Sequence, residues 1–122
     1  MNEECTVYKT MSYLSKKWTL LILLELYKGK SETKRYSEIK KNMPDISPKI
    51  LSARLKELEK EGIITKKIDT TYFPIKCEYS LTDVGKDFIP IIKNIKSWAL
   101  EWKNQNEICD EQDCKDMSLI HI

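Results

Sequence analysis

Four cysteines and one histidine are the side chains in this sequence best suited to redox or metal chemistry. Cys109 and Cys114 enclose the stretch DEQD, and His121 follows, so a metal site has to be considered. On a straight helix, side chains five residues apart point about 140° apart, so both thiolates could bind one ion only in a loop or across a dimer. We expect no metal. Of the three interpretations of Cys109 and Cys114, we favour unreactive free thiols first, a disulfide within the tail second and a metal site last.

Cys5 is the cysteine to which we assign a candidate redox role, because it directly precedes a predicted helix. The unpaired N–H groups and the dipole at a helix start favour a thiolate, and Lys9 follows one turn later. Such a thiolate could form a mixed or intersubunit disulfide. The alternative is an inert terminal thiol.

The residues that an enzyme would need are scarce. The single histidine lies near the end of the sequence, and the three glycines form no phosphate-binding loop. No pair of carboxylates marks a structural turn either. We therefore expect neither enzymatic activity nor a cofactor.

Composition predicts one folded domain. Of the 122 residues, 41% are hydrophobic and 33% charged, which is too apolar for a disordered chain. The longest apolar run, LLILL, is too short for a membrane span and MNEEC does not resemble a signal peptide, so we expect a cytoplasmic protein. Residues 30–76 carry twelve Lys or Arg against seven Asp or Glu, whereas residues 101–122 carry two against six. This asymmetry predicts a basic surface within a domain spanning 1–106 and an acidic tail at 107–122.

The spacing of apolar residues predicts three helices before residue 46. A short amphipathic helix covers 5–14, and a helix that is apolar almost all round covers 17–28 at the centre of the core. A third covers Ser37–Asn42, with Tyr36, Ile39 and Met43 facing inward.

A fourth helix is predicted within residues 46–62. Ser47 is a suitable N-cap, Pro48 fits the first helical position and Gly62 ends the helix. One side carries the apolar seam Leu51, Leu55 and Leu58. The other carries Lys49, Ala53, Lys56 and Lys60, with Ser52 beside them. Small residues between lysines let a backbone approach a polyanion, which suits the major groove of DNA.

A β-hairpin should follow, because the stretches IITKKID and IKCEYSL alternate between apolar and polar residues. Its loop carries Tyr72, and Lys66, Lys67 and Lys76 flank that loop. A basic hairpin directly after a basic helix is the order found in a winged helix-turn-helix, in which the hairpin holds the adjacent DNA backbone.

Thr82 and Asp83 should cap a long last helix with a heptad seam, and Pro90 predicts a kink or break near Ile89. This helix and the first one expose more apolar surface than a monomer readily covers. We therefore predict a homodimer through the terminal helices, using Val7, Met11, Leu14, Ile91, Ile95, Trp98 and Trp102.

Several stretches resemble the HxlR family of winged-helix regulators, which is related in architecture to MarR proteins. They are Cys5 ahead of KWTLLIL (17–23), ISPKILSARLKELEKEGII (46–64), EYSLTDVG (78–85), and Pro90 with Trp98 eight residues later. The resemblance implies a homodimer that binds operator DNA near promoters as repressor or activator. It also implies that some members sense electrophiles or oxidants through the N-terminal cysteine, here Cys5.

Three departures from the family pattern stand out. The stretch LSKKW replaces a common Gly-Lys-Trp, GKSETKRY is about three residues longer than usual, and Cys77 stands where valine is common. The alternation of the hairpin places Cys77 on the inward side, as a small core residue.

The predicted architecture is mainly α with a small β-hairpin wing, an α+β winged helix-turn-helix. The predicted function is a sequence-specific DNA-binding transcriptional regulator, whose groove residues are Ser47, Pro48, Lys49, Ser52, Ala53 and Lys56. A protein-binding winged helix that docks an acidic partner is the alternative. The sequence identifies no small-molecule ligand.

Overall fold

The fold is mainly helical with one small sheet, as predicted. A computed structural model describes residues 3–103. In chain order the elements are α1 (Thr6–Leu14), α2 (Thr19–Tyr27), β1 (Lys34–Arg35), α3 (Tyr36–Asn42), α4 (Pro48–Lys60), β2 (Ile64–Asp69), β3 (Lys76–Leu81) and α5 (Asp83–Trp102).

The core is built around α2, which confirms the expected central helix. Ile22 and Leu23 of α2 are fully buried, and the predicted seam of α4 is at most 1% exposed. Ile39 of α3 and Met43, which directly follows that helix, close the same core. The removal of these apolar side chains from water stabilises the fold and fixes the position of α4.

Local signals set the ends of α4. The backbone N–H of Ile50 donates to Oγ of Ser47 at 3.2 Å, and Pro48 occupies the first turn. Both features are as predicted, since the cap satisfies a backbone donor that no helical carbonyl reaches. Gly62 has a φ of 75°, a conformation in which a residue without Cβ turns the chain directly into β2.

The sheet has three antiparallel strands, in the order β1-β3-β2. The hairpin of β2 and β3 pairs Ile64 with Leu81 at its base and Asp69 with Lys76 at its outer end. We call β2, β3 and the loop 70–75 the wing. The third strand, β1, is two residues long and places Lys34 opposite Tyr79. It was not predicted from the sequence.

The structure corrects three expectations. Of the kink or break predicted near Ile89, the break is wrong, because α5 runs continuously from Asp83 to Trp102 with Pro90 inside it. Pro90 is exposed, and the neighbouring Ile89 and Ile92 are buried in the core on either side of it. Leu14, expected at a dimer interface, is 4% exposed and belongs to the core of its own chain. Cys77, expected in the core, packs against the core but is only half-buried.

Candidate nucleic-acid interface

The outer face of α4, formed by Lys49, Ser52, Ala53 and Lys56 on the side away from the core, is exposed along the whole helix. Ser47 and Pro48 are exposed at its start. The two lysines are seven positions apart, which corresponds to roughly 10 Å along a helix and is close to the ~12 Å width of a DNA major groove. Among residues 3–103, the ion pairs do not involve Lys49 or Lys56. Both ammonium groups are therefore available to a phosphate.

Glu57 fixes the position of α4 against the turn between α1 and α2. Its carboxylate accepts from Lys16 through a short hydrogen bond and from Arg54 Nη1 at 3.0 Å. Arg54 Nε also donates to the carbonyl of Lys17 at 3.4 Å. The hydrogen bond from Lys16 is the main reason that the pKa of Glu57 lies below its usual value. Arg54 is engaged within the protein, so the cations directed outward from α4 are lysines.

Tyr36 supports the first turn of α4. Its hydroxyl donates to the carbonyl of Pro48 at 3.2 Å, and Oγ of Ser52 lies 3.5 Å from the same hydroxyl. From the sequence, Tyr36 was predicted only to face inward from α3. In the structure its hydroxyl forms a polar link between α3 and the N-terminal part of α4, where the outer face begins.

The wing presents Lys66, Lys67 and Tyr72 to solvent. Lys76 differs from the other predicted wing residues, because its Nζ lies 2.9 Å from a carboxylate oxygen of Glu78 and 5.2 Å from the centre of the Tyr72 ring. This ion pair lowers the pKa of Glu78. Lys76 therefore orients the wing loop, and its charge is largely balanced within the protein.

A groove of about 420 Å³ runs between the start of α3 and the wing. It is lined by Arg35, Tyr36, Ser37 and residues 72–77. Arg35 and Ser37 are exposed and were not predicted as site residues. The position of Arg35, a cation directly before α3, was a usable signal for this part of the site. Burial, together with Cys77, which also lines this groove, raises the pKa of Tyr79 to about 12.

The arrangement of α3, α4 and the wing can be compared with known proteins. A family model described as HxlR-like helix-turn-helix matches residues 13–107. The chain belongs to the HxlR family.

Relatives and solved structures agree with this assignment. The HTH-type transcriptional regulator YvaP of Bacillus subtilis is 44% identical over 94 residues, which are 77% of this chain and 83% of YvaP. A MarR-family regulator structure from Porphyromonas gingivalis W83 is 39% identical with a TM-score of 0.73, covering 84% of this chain and 96% of that one. The reduced form of the regulator YodB from B. subtilis is 31% identical with a TM-score of 0.71, covering 88% and 99%. The winged helix-turn-helix architecture of this HxlR chain is thus established.

Cys5 occupies the N-cap position of α1 and is partly exposed. Its side chain accepts no capping hydrogen bond from the helix. Lys9, expected to favour a thiolate, has its Nζ 3.6 Å from a carboxylate oxygen of Glu4. The positive charge near Cys5 is therefore shared with a neighbouring carboxylate.

Two further expectations concern a metal site and a membrane-spanning helix. Between residues 3 and 103 no group of three or more His, Cys, Asp or Glu side chains could hold a metal ion. Cys109, Cys114, His121 and the tail 107–122 lie outside the described residues. No helix of the described part is long and apolar enough to cross a membrane.

The terminal helices of this HxlR chain carry a large exposed apolar surface. Six of the seven residues predicted for a dimer interface are exposed, from Met11 at 41% to Trp102 at 68%. The exception is Leu14. Tyr8 of α1 and Val84 of α5 are exposed as well. We call Val7, Met11, Ile91, Ile95, Trp98 and Trp102 the terminal apolar face.

Proposed function

We propose that this protein is a sequence-specific DNA-binding transcriptional regulator that acts as a homodimer on operator DNA. The outer face of α4 enters the major groove, and Lys66 and Lys67 of the wing contact the adjacent backbone. The observation that carries this proposal is the exposed lysine-bearing face of α4, held rigidly from behind by the core seam and by Glu57. A helix fixed in this way loses little conformational freedom when it binds.

Phosphate contacts should supply much of the affinity. Lysine is a point charge suited to phosphates, whereas the usual bidentate contacts to base edges come from Arg, Asn or Gln. Ala53 offers an apolar contact to a thymine methyl group, and Ser52 offers a small hydroxyl. We infer that sequence-dependent DNA shape carries part of the selectivity.

The terminal apolar face supports the homodimer. A monomer in solution would leave two tryptophans, Trp98 and Trp102, more than half exposed beside Ile91 and Ile95. Contiguous apolar surfaces of this kind mark interfaces, and a twofold dimer buries the same face of both copies at once. Two copies of α4 about one duplex turn apart would then read a palindrome.

A mobility-shift experiment tests DNA binding. The probe is the DNA immediately upstream of the protein's own gene, with an excess of nonspecific competitor. A shifted band that survives the competitor supports the proposal. A band that the competitor removes completely would contradict it, and would favour a winged helix whose outer face binds an acidic protein.

We further propose that Cys5 makes DNA binding responsive to oxidants. It stands at the start of α1, two residues before Val7 of the terminal apolar face, so a bond there would alter the way in which two copies meet. Two Cys5 thiols would form an intersubunit disulfide, passing two electrons and two protons to an oxidant such as diamide. The similarity to YodB, solved in a reduced form, supports a redox-dependent state.

Mass spectrometry after diamide treatment, with DNA affinity measured in parallel for the wild type and Cys5→Ser, tests this role. We expect a Cys5 adduct or disulfide and a changed affinity in the wild type only. An identical response of both proteins to diamide would assign the effect to another cysteine and refute the proposal.

A further inference from the structure

The outer half of the wing carries an apolar surface that the fold does not use. Ile68, Tyr72, Phe73 and Ile75 are 58%, 54%, 102% and 61% exposed. The apolar residues at the base of the same hairpin, by contrast, are buried in the core. The wing thus extends past the core and ends in large apolar side chains.

The loop itself is ordered by polar contacts and by the contact of Lys76 with Tyr72, and not by the other apolar residues. The backbone N–H and the hydroxyl of Thr71 donate to the carboxylate of Asp69 at 2.9 and 2.6 Å. Lys76 packs over the Tyr72 ring from one side. Phe73 is fully exposed, so its ring adds nothing to the stability of the hairpin.

The surroundings of this apolar surface are cationic on balance, since four cations, Lys66, Lys67, Lys76 and Arg35, face the two carboxylates of Asp69 and Glu78. Lys66 and Lys67 lie on β2 and Arg35 lies across the groove, and all three are exposed. Their charges complement a polyanion. The base of the wing is connected directly to α4, because β2 begins four residues after the end of that helix.

The reach of the wing matches the spacing of DNA grooves. From Ile64 to Asp69, five steps at about 3.3 Å give a strand of roughly 17 Å. Half the width of a major groove is about 6 Å, so a wing of this length that starts beside α4 would be long enough to cross one phosphate backbone and reach the neighbouring minor groove. Phe73 stands at the end of that path.

We infer that Phe73 is an apolar wedge that enters the minor groove next to the groove occupied by α4. Apolar side chains at this position in a complex unstack a base step and bend the duplex, and pyrimidine–purine steps such as TA deform most easily. Phe73 therefore selects operators with a deformable step under the wing, although it makes no hydrogen bond to a base. This inference rests on the proposed DNA-binding function.

The test uses the full-length protein and 40-base-pair duplexes from the protein's own upstream region. Hydroxyl-radical footprinting first locates the segment under the wing, and that segment then carries either a TA step or an AA step. Fluorescence anisotropy gives affinity at several salt concentrations, and 2-aminopurine beside the step reports unstacking. The variants are Phe73→Ala, Phe73→Trp and the matched control Thr70→Ala, an exposed polar residue of the same loop.

We expect Phe73→Ala to weaken binding to the TA duplex by about tenfold, since the apolar contact with the unstacked step is lost. The preference for TA over AA and the 2-aminopurine signal should fall with it, while Phe73→Trp and Thr70→Ala keep both. The salt dependence should not change, because no charge is removed. An unchanged salt dependence distinguishes an apolar wedge from a phosphate contact, whose loss would reduce the salt dependence.

Two results would overturn the inference alone. One is wild-type affinity and an unchanged 2-aminopurine signal for Phe73→Ala. The other is a loss of self-association by Phe73→Ala in analytical ultracentrifugation, which would assign the apolar tip to contact with a second copy. Failure of the wild type to bind any upstream duplex above competitor would refute the proposed function itself, and the wedge with it.

Discussion

The replacement of Lys56 by alanine probes the proposed role of the outer face of α4 most simply. Lys56 is exposed in the middle of a long helix, and alanine is a better helix former than lysine, so the variant should fold. A homodimer would lose one phosphate contact per copy. At about 0.9 released counterions per phosphate, the slope of log K against log salt should fall by about 1.8. Between about 50 and about 200 mM salt, the wild type should therefore lose about 12-fold more affinity than the variant.

The assay is fluorescence anisotropy on one operator duplex across that salt range, with Lys86→Ala as the control. Lys86 is an exposed lysine of α5 outside the proposed DNA surface, so the control removes the same charge from a different place. Lys86→Ala should keep the wild-type slope. Equal slopes for the wild type and Lys56→Ala would refute a phosphate contact by Lys56, and equal changes for both variants would show that only net charge matters.

Three further changes test other parts of the account. Ile95→Glu should yield monomers in analytical ultracentrifugation, since it places a charge in the terminal apolar face, whereas the exposed neighbour change Asn94→Glu should leave the dimer intact. Glu57→Gln should lower the free energy of unfolding in urea by about 0.5 kcal/mol at neutral pH. Folding lowers the pKa of Glu57, so this loss of stability should be present above pH 4.5, the ordinary pKa of the side chain, and should shrink as the pH falls through the folded-state pKa. A loss of stability that does not depend on pH would exclude the ion pair as its cause. Gly85→Ala should destabilise the protein by about 2 kcal/mol in thermal unfolding, because its Cβ would overlap the carbonyl oxygen of Ile63; an unchanged Tm would contradict that packing.

Helix positions could be predicted from the sequence because each rests on local signals. For α4, the cap at Ser47, the turn at Gly62 and the spacing of Leu51, Leu55 and Leu58 all indicate the same helix. The central position of α2 was predicted because its apolar residues lie on all sides of the helix. The family could be recognised from the same stretches, since they carry the residues that set this architecture.

The features that were missed depend on tertiary contacts. The strand β1 is too short to show alternation and exists because β3 offers it a partner edge. Lys34 was counted with the basic surface, yet it is buried and donates to the carbonyls of Glu25, at 2.6 Å, and Lys28 at the end of α2. Burial lowers its pKa, because the charged form loses hydration that these carbonyls replace only in part.

The candidate surface was predicted more successfully on the helix than on the wing. Helical periodicity alone places Lys49 and Lys56 on the side opposite the apolar seam, so no tertiary contact is needed to predict that they face outward. The wing residues depend on cross-strand partners, so the pairing of Lys76 with Glu78 could not be foreseen from alternation alone. Phe73 was missed for a similar reason, because a loop has no periodicity that assigns a direction to its side chains.

In the proposed complex, two copies of α4 grip one operator together. Hydroxyl-radical footprinting of the upstream duplex, combined with the stoichiometry from analytical ultracentrifugation of the complex, tests this arrangement. We predict two protected segments with their centres about 10–10.5 base pairs apart and two protein chains per duplex. One protected segment bound by a single chain would contradict the account.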